Sequence, residues 1–176
     1  MGLSRHAVGN RVTIVPKKTF QALFNVGFHK IDIDQRGSKA KINAFLSRLK
    51  LGKLKPYSTA YGAHYGMWHD NQLVSYISTS VGHVNKNSFK PLISVDYLAS
   101  MPGVHGGRAA INALRTVPGA TLFTQALDSE QAQRFWASNL CTSPVASAYV
   151  GLFYIATMNE KNAYTVFDDV TFMSTK

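Results

Sequence analysis

The stretch from Val95 to Leu114, VDYLASMPGVHGGRAAINAL, constrains the fold more than any other part of the chain. It begins as an apolar, strand-like run. Met101-Pro102-Gly103 interrupts that run, and two consecutive glycines, Gly106 and Gly107, open an Ala-rich segment with helical spacing. Strand, glycine turn and helix in such quick succession have two readings. One is an anion site, with backbone N–H groups left open at a helix N-terminus. The other is a strand-to-helix connection that needs glycine for its turn.

The neighbouring elements set the context. Arg11–Val15 is β-branched and alternating and predicts a strand ended by Pro16. Phe20, Leu23, Phe24 and Phe28 fall at helical spacing within Thr19–Lys30. Ser38 is placed as an N-cap. Ile42, Phe45, Leu46 and Leu49 then form an apolar stripe at i, i+3, i+4 and i+7, with Gly52 positioned to close the helix. Lys53–Thr59 reads as a connector. Residues 60–81 predict a β-hairpin turning at Asp70-Asn71, and 82–91 a loop. Leu92–Ser100 predicts a strand, Ala109–Leu114 the start of a helix, Ala120–Ala126 a strand and Ser129–Asn139 a helix. Ser147–Met158 and Ala163–Met173 read as strands joined at Asn159–Asn162. Hairpins beside β-α-β crossovers predict an α/β architecture, a mixed sheet with helices packed on it.

Composition narrows the function classes. A chain of 176 residues, 45% hydrophobic and 16% charged, is long enough to bury a core as one domain and reads as globular. No apolar run approaches the ~20 residues of a membrane helix, and the N-terminus lacks a signal-peptide core, so no membrane partner is expected. A single cysteine, Cys141, excludes an internal disulfide and makes a reducing, cytoplasmic setting the expectation. One Cys and scattered His give no zinc spacing, and neither a GxxxxGK phosphate loop nor a GxSxG nucleophile elbow occurs.

The net charge of +10 is unevenly placed. Residues 1–55 hold twelve Lys or Arg against two acids, Asp32 and Asp34, whereas 56–176 hold seven of each sign. The basic third is either a solvated face or a surface that attracts nucleic acid, an acidic protein or a polyphosphate. Tyr57, Tyr61, Tyr65, Trp68 and Tyr76 offer a stacking platform for bases, although sheet packing accounts for most of them.

Two blocks in this order resemble the GNAT acetyltransferase superfamily. In that family an apolar strand and a Pro lead to Arg/Gln-x-x-Gly-x-Gly/Ala, which opens a helix. Here LASMPGVHGGRAAINAL puts His105, Arg108 and Ala110 on that pattern, or, shifted by one, Val104, Gly107 and Ala109. The second block, DSEQAQRFWASNL, is similar to the Asn-x-x-Ala-x-x-Phe-Tyr helix that follows the fifth strand, with Ser129, Ala132, Phe135 and Trp136 on the spacing.

The resemblance implies a mostly antiparallel central sheet with helices on both faces, in a single domain over 1–176. Residues 1–55 would form a basic β-α-α part and 56–176 a cofactor-binding core. It implies acetyl-CoA as co-substrate. The pantetheine arm would pair with the backbone of Leu98, Ala99 and Ser100, and the pyrophosphate would lie on His105, Gly106, Gly107, Arg108, Ala109 and Ala110. The acceptor would be an amine on a small molecule or a protein. A catalytically weak or inactive member that uses residues 1–55 to engage nucleic acid or an acidic protein is the alternative.

Transfer to an amine requires removing a proton from the acceptor and supplying one to the thiolate. Acids are few. Asp96 lies on the strand before the glycine turn, on the face of Ser94, Leu98 and Ser100 by period two, and is the candidate base. A paired structural carboxylate is the competing role for it. His64, His69 and His83 are the alternatives. Trp136 stands where the family usually has a tyrosine acid, and Tyr149 and Tyr154 are the remaining candidates for that role.

Overall fold

The computed structural model describes residues 12–15, 17–84, 91–118, 121–125, 134–135, 145–147 and 151–155. The elements are β1 (Val12–Val15), α1 (Gln21–Asn25), β2 (His29–Ile31), α2 (Ser38–Arg48), α3 (Pro56–Tyr61), β3 (Ala63–His69), β4 (Gln72–Val84), β5 (Pro91–Ser100), α4 (Gly106–Arg115), β6 (Thr121–Gln125), β7 (Val145–Ser147) and β8 (Gly151–Ile155). They fall into two compact units interleaved along the chain. One unit comprises Pro16–Ser80 and Val95–Val117, and the other Met1–Val15, Val81–Ser94 and Pro118–Lys176.

In the first unit β2 pairs antiparallel with β3, and β3 with β4. The β3–β4 turn is the expected Asp70-Asn71, and both residues are left-handed, with φ of 48° and 61°. Positive φ at both central residues is the hairpin geometry whose twist matches that of the strands. A bulge shifts the register at Met67/Trp68, where Met67 faces Ser75 but Trp68 faces Leu73. In the second unit β1 pairs antiparallel with the end of β4, Leu92–Ser94 of β5 pair parallel with Thr121–Phe123 of β6, and β8 joins β6 and β7 antiparallel. The sheet of this second unit is therefore mixed and mostly antiparallel.

Helices cover both faces in the first unit. Ser75 and Tyr76 are adjacent on β4 and point to opposite sides. Tyr76 joins Ile33, Ile42, Phe45, Leu46, Leu73 and Ala99 in a core under α2. Ser75 instead meets Gly106 at the start of α4. The α2 stripe is the expected one, with Ile42, Phe45 and Leu46 at most 1% exposed.

Five local expectations are corrected. Gly37, at φ 88°, is the N-cap of α2, and Ser38 is its first helical residue, buried. Lys50, not Gly52, takes the left-handed position after α2, at φ 58°. There the Leu51 N–H bonds to the Leu46 carbonyl at 2.8 Å and the Lys50 N–H to Ser47 at 2.9 Å, a complete Schellman cap. The Thr19–Lys30 segment is helical only over Gln21–Asn25. Gly27, at φ 98°, ends it, the Phe28 N–H closing back on the Leu23 carbonyl, and the chain then extends into β2. The connector at Lys53–Thr59 contains the start of α3, with Pro56 in the first helical position, where its missing N–H costs nothing. Strand β4 also runs on to Val84, into the segment expected as a loop. In the Ser129–Asn139 segment Arg134 and Phe135 are helical, and the rest lies outside the described residues, as does Ala163–Met173.

Candidate functional site

The passage from β5 to α4 is built by turn chemistry. Pro102 and Gly103 occupy the centre of a tight turn in which the Val104 N–H donates to the Met101 carbonyl at 3.2 Å. Gly103, at φ 84°, supplies the left-handed residue that a type II turn demands after proline. His105 is itself left-handed, at φ 57°, and serves as the N-cap of α4 without any side-chain capping bond. The first intrahelical donor is the Ala109 N–H, which reaches the His105 carbonyl at 3.2 Å. The N–H groups of Gly106, Gly107 and Arg108 therefore point out of the helix end, together with its positive dipole. His105 and Arg108 are exposed beside them. Of the six expected phosphate-binding residues, Ala109 spends its N–H within the helix, and Ala110 lies one residue deeper and is buried.

Gly106 has a structural reason of its own. A Cβ there would stand 2.6 Å from Ser75 Cβ, closer still to Ser75 Oγ, and 3.2 Å from Ser100 Oγ. The missing side chain lets the helix start sit down on β4 and β5. One glycine of the pair is thus required by packing, as a strand-to-helix connection demands, and both glycines are buried.

The backbone of Leu98–Ser100 alternates its hydrogen-bonding direction. The Ala99 carbonyl accepts from Ser75 Oγ at 3.2 Å, and the Met101 N–H donates to the Val74 carbonyl at 2.9 Å. Odd-numbered backbone groups thus face β4, and the alternation turns those of Leu98 and Ser100 to the other edge.

Asp96 is half-buried and accepts a hydrogen bond from Ser80 Oγ, itself 1% exposed. Burial, reinforced by the Asp96 charge, raises the Tyr76 hydroxyl well above its usual range and raises Tyr97. The Tyr76 hydroxyl lies 2.6 Å from His64 Nδ1, and His64 Nε2 lies 3.0 Å from the Ser58 carbonyl. A carbonyl only accepts, so Nε2 carries the proton and Nδ1 accepts from Tyr76. Burial pushes His64 down to about 4, so it is neutral at physiological pH. Sequence spacing gave no sign of this His64–Tyr76 pair, whose members are twelve residues apart on two strands.

His64 also borders a cleft of about 400 Å³ lined by Lys17, Lys30, Asp32 and Asp34. Lys17 Nζ sits 2.5 Å from Asp34 Oδ2 and holds that carboxyl below its usual range. Of the other candidates, His69 is exposed at the hairpin end, 3.3 Å from Asp70. The side chains of His83 and Tyr154 lie outside the described residues, as do Trp136 and Tyr149 altogether. Among the described residues no group of three His, Cys, Asp or Glu side chains is placed to hold a metal ion, and no helix is long and apolar enough to cross a membrane.

No family model and no curated protein matches the sequence. Solved structures do match the fold. Arabidopsis thaliana NAA60 in complex with a bisubstrate analogue superposes with a TM-score of 0.53 at 9% identity, over 75% of this chain and 98% of that one. The acetyl-CoA complex of the same protein gives 0.53 at 9% identity, over 74% and 98%. Arabidopsis thaliana Naa50 in complex with the bisubstrate analogue CoA-Ac-MVNAL gives 0.51 at 11%, over 73% and 96%. The chain shares the fold of these structures, as the resemblance to the GNAT acetyltransferase superfamily implies. At these identities the likeness is one of fold, and the activity has to be argued from the site.

Proposed function

We propose that the protein transfers an acetyl group from acetyl-CoA to a primary amine. The observation that carries this reading is the uncapped start of α4, where three outward N–H groups and a helix dipole stand next to Arg108 and His105. That donor set suits a pyrophosphate, and Arg108 adds a charge-assisted contact. The fold supports it, since matching structures hold acetyl-CoA or CoA-containing analogues. In this reading the outward backbone of Leu98 and Ser100 receives the pantetheine amides, and a backbone N–H there stabilises negative charge on the acyl oxygen. When bound, acetyl-CoA supplies a thioester activated toward amines.

Proton removal falls to Asp96, directly or through one water. Ser80 fixes the orientation of its carboxylate. The experiment is thiol release from acetyl-CoA in the presence of a panel of amines, polyamines and peptide N-termini. Amine-dependent release that is lost in Asp96→Asn, with acetyl-CoA affinity retained, supports both the reaction and the base. Release unchanged in that variant removes Asp96 from the mechanism. Binding without release on any acceptor favours the alternative of an inactive binding protein.

A further inference from the structure

We propose that the surface centred on Trp68, on the α2 side of β2 and β3, binds single-stranded nucleic acid. Trp68 is 43% exposed, although its edge is anchored. Gly66 has no Cβ, and the space is filled by Trp68 Cη2 and Leu73 Cδ1, each 2.7 Å from where a Cβ would stand, and by Ile31 Cδ1 at 3.0 Å. The glycine is a seat for the indole. The rim of the ring shares that seat with the Leu73 and Ile31 side chains, and the His29 ring lies beside it, 6.4 Å away between centroids. An anchored aromatic ring that remains accessible is what base stacking requires, and it accepts any base.

The flanking charge fits a phosphate backbone. Arg48 Nη2 reaches the carbonyl of Leu73, a residue packed at the Gly66 seat, at 3.4 Å, which places the end of α2 next to Trp68. The Arg48 guanidinium lies 5.6 Å over the Phe45 ring, so its position is fixed on an exposed side chain. Lys41 is seven residues earlier on the same helix and shares that side; it too is exposed. No acidic residue occurs in α2, β2 or β3. The nearest acids in sequence are Asp32 and Asp34, after β2, and Asp70 at the hairpin; Asp34 is paired with Lys17, and Asp70 lies beside His69. Of this surface, His29, Lys41 and Arg48 belong to the basic residues 1–55, which hold twelve cations against two acids. Duplex hides the faces of its bases, so an open indole flanked by Arg48 and Lys41 favours a single strand. The site does not depend on acyl transfer.

The test is fluorescence anisotropy of the full chain with a labelled oligonucleotide of roughly ten nucleotides, single-stranded and as duplex, across a salt series. The expected result is tighter binding of the single strand. Trp68→Leu, which keeps apolar cover over Gly66, should weaken it about tenfold or more. Arg48→Gln and Lys41→Gln should each flatten the log–log salt slope by about 0.7. Photo-crosslinking of a bromouracil-containing strand to the unmutated protein should map to the peptide carrying Trp68, a readout that needs no variant to fold. No binding at low salt overturns the proposal. So does equal or tighter binding of duplex, or a crosslink that maps elsewhere. Displacement by polyglutamate with no effect of Trp68→Leu also overturns it, in favour of an acidic polypeptide partner.

Discussion

Gly106→Ala separates packing from helix propensity at the start of α4. At an unobstructed site, replacing Gly by Ala stabilises a protein by about 0.4–1 kcal/mol, because the unfolded chain loses freedom. Here the new methyl would stand 2.6 Å from Ser75 Cβ, an atom that no rotamer can move. Ser75 is 0% exposed and its Oγ already donates to the Ala99 carbonyl, so relief requires α4 to lift from the sheet. Overpacking of that kind costs about 1–3 kcal/mol. For a chain of this size it corresponds to a melting temperature lower by about 3–10 °C. The assay is a thermal melt followed by circular dichroism, paired with acetyl-CoA titration, since lifting α4 also displaces the proposed phosphate donors. Adding Ser75→Gly should recover much of the loss, a positive coupling between contacting residues. A Gly106→Ala protein that melts at or above the parent temperature would refute this packing account.

Two further perturbations test the local physics. Lys50→Gly should stabilise the chain by about 1 kcal/mol, because lysine is held left-handed at φ 58° in the Schellman cap of α2; a lower melting temperature would contradict that geometry. His64 is held neutral in the folded chain, down to about 4, whereas the unfolded chain protonates it near 6.5. Its contribution is therefore complete above 6.5 and is lost as the pH falls from there to about 4, an effect of about 3 kcal/mol. Denaturant melts across that window should show the fall, and His64→Gln should flatten it while lowering stability at neutral pH.

The features legible in the sequence are those written in local patterns. The Asp70-Asn71 turn, the apolar stripe of α2 and the strand–turn–helix around Gly106 are each set by residues within a few positions of one another. Other features depend on tertiary partners. Gly106 looks like a ligand-contacting glycine until Ser75, thirty-one residues earlier, is found against it. His64 and Tyr76 look like separate hairpin residues until the β3–β4 register brings them together. Trp68 reads as one aromatic among five, and it differs from Tyr65 and Tyr76, both 0% exposed, because the bulge and Gly66 seat it at the surface. The ends of α1 and α2 are hard to read from the sequence because left-handed caps fall on Gly27, Gly37 and Lys50, and only two of these are glycine.

The central claim is that the open end of α4 holds the phosphates of acetyl-CoA, and calorimetric titration of acetyl-CoA into the unmodified protein tests it most directly. Saturable binding is expected that weakens in Arg108→Gln, loses part of its salt dependence in that variant, and falls further when Gly107 is replaced by a bulky residue. Absence of binding at millimolar acetyl-CoA, or binding that ignores both substitutions, would contradict it.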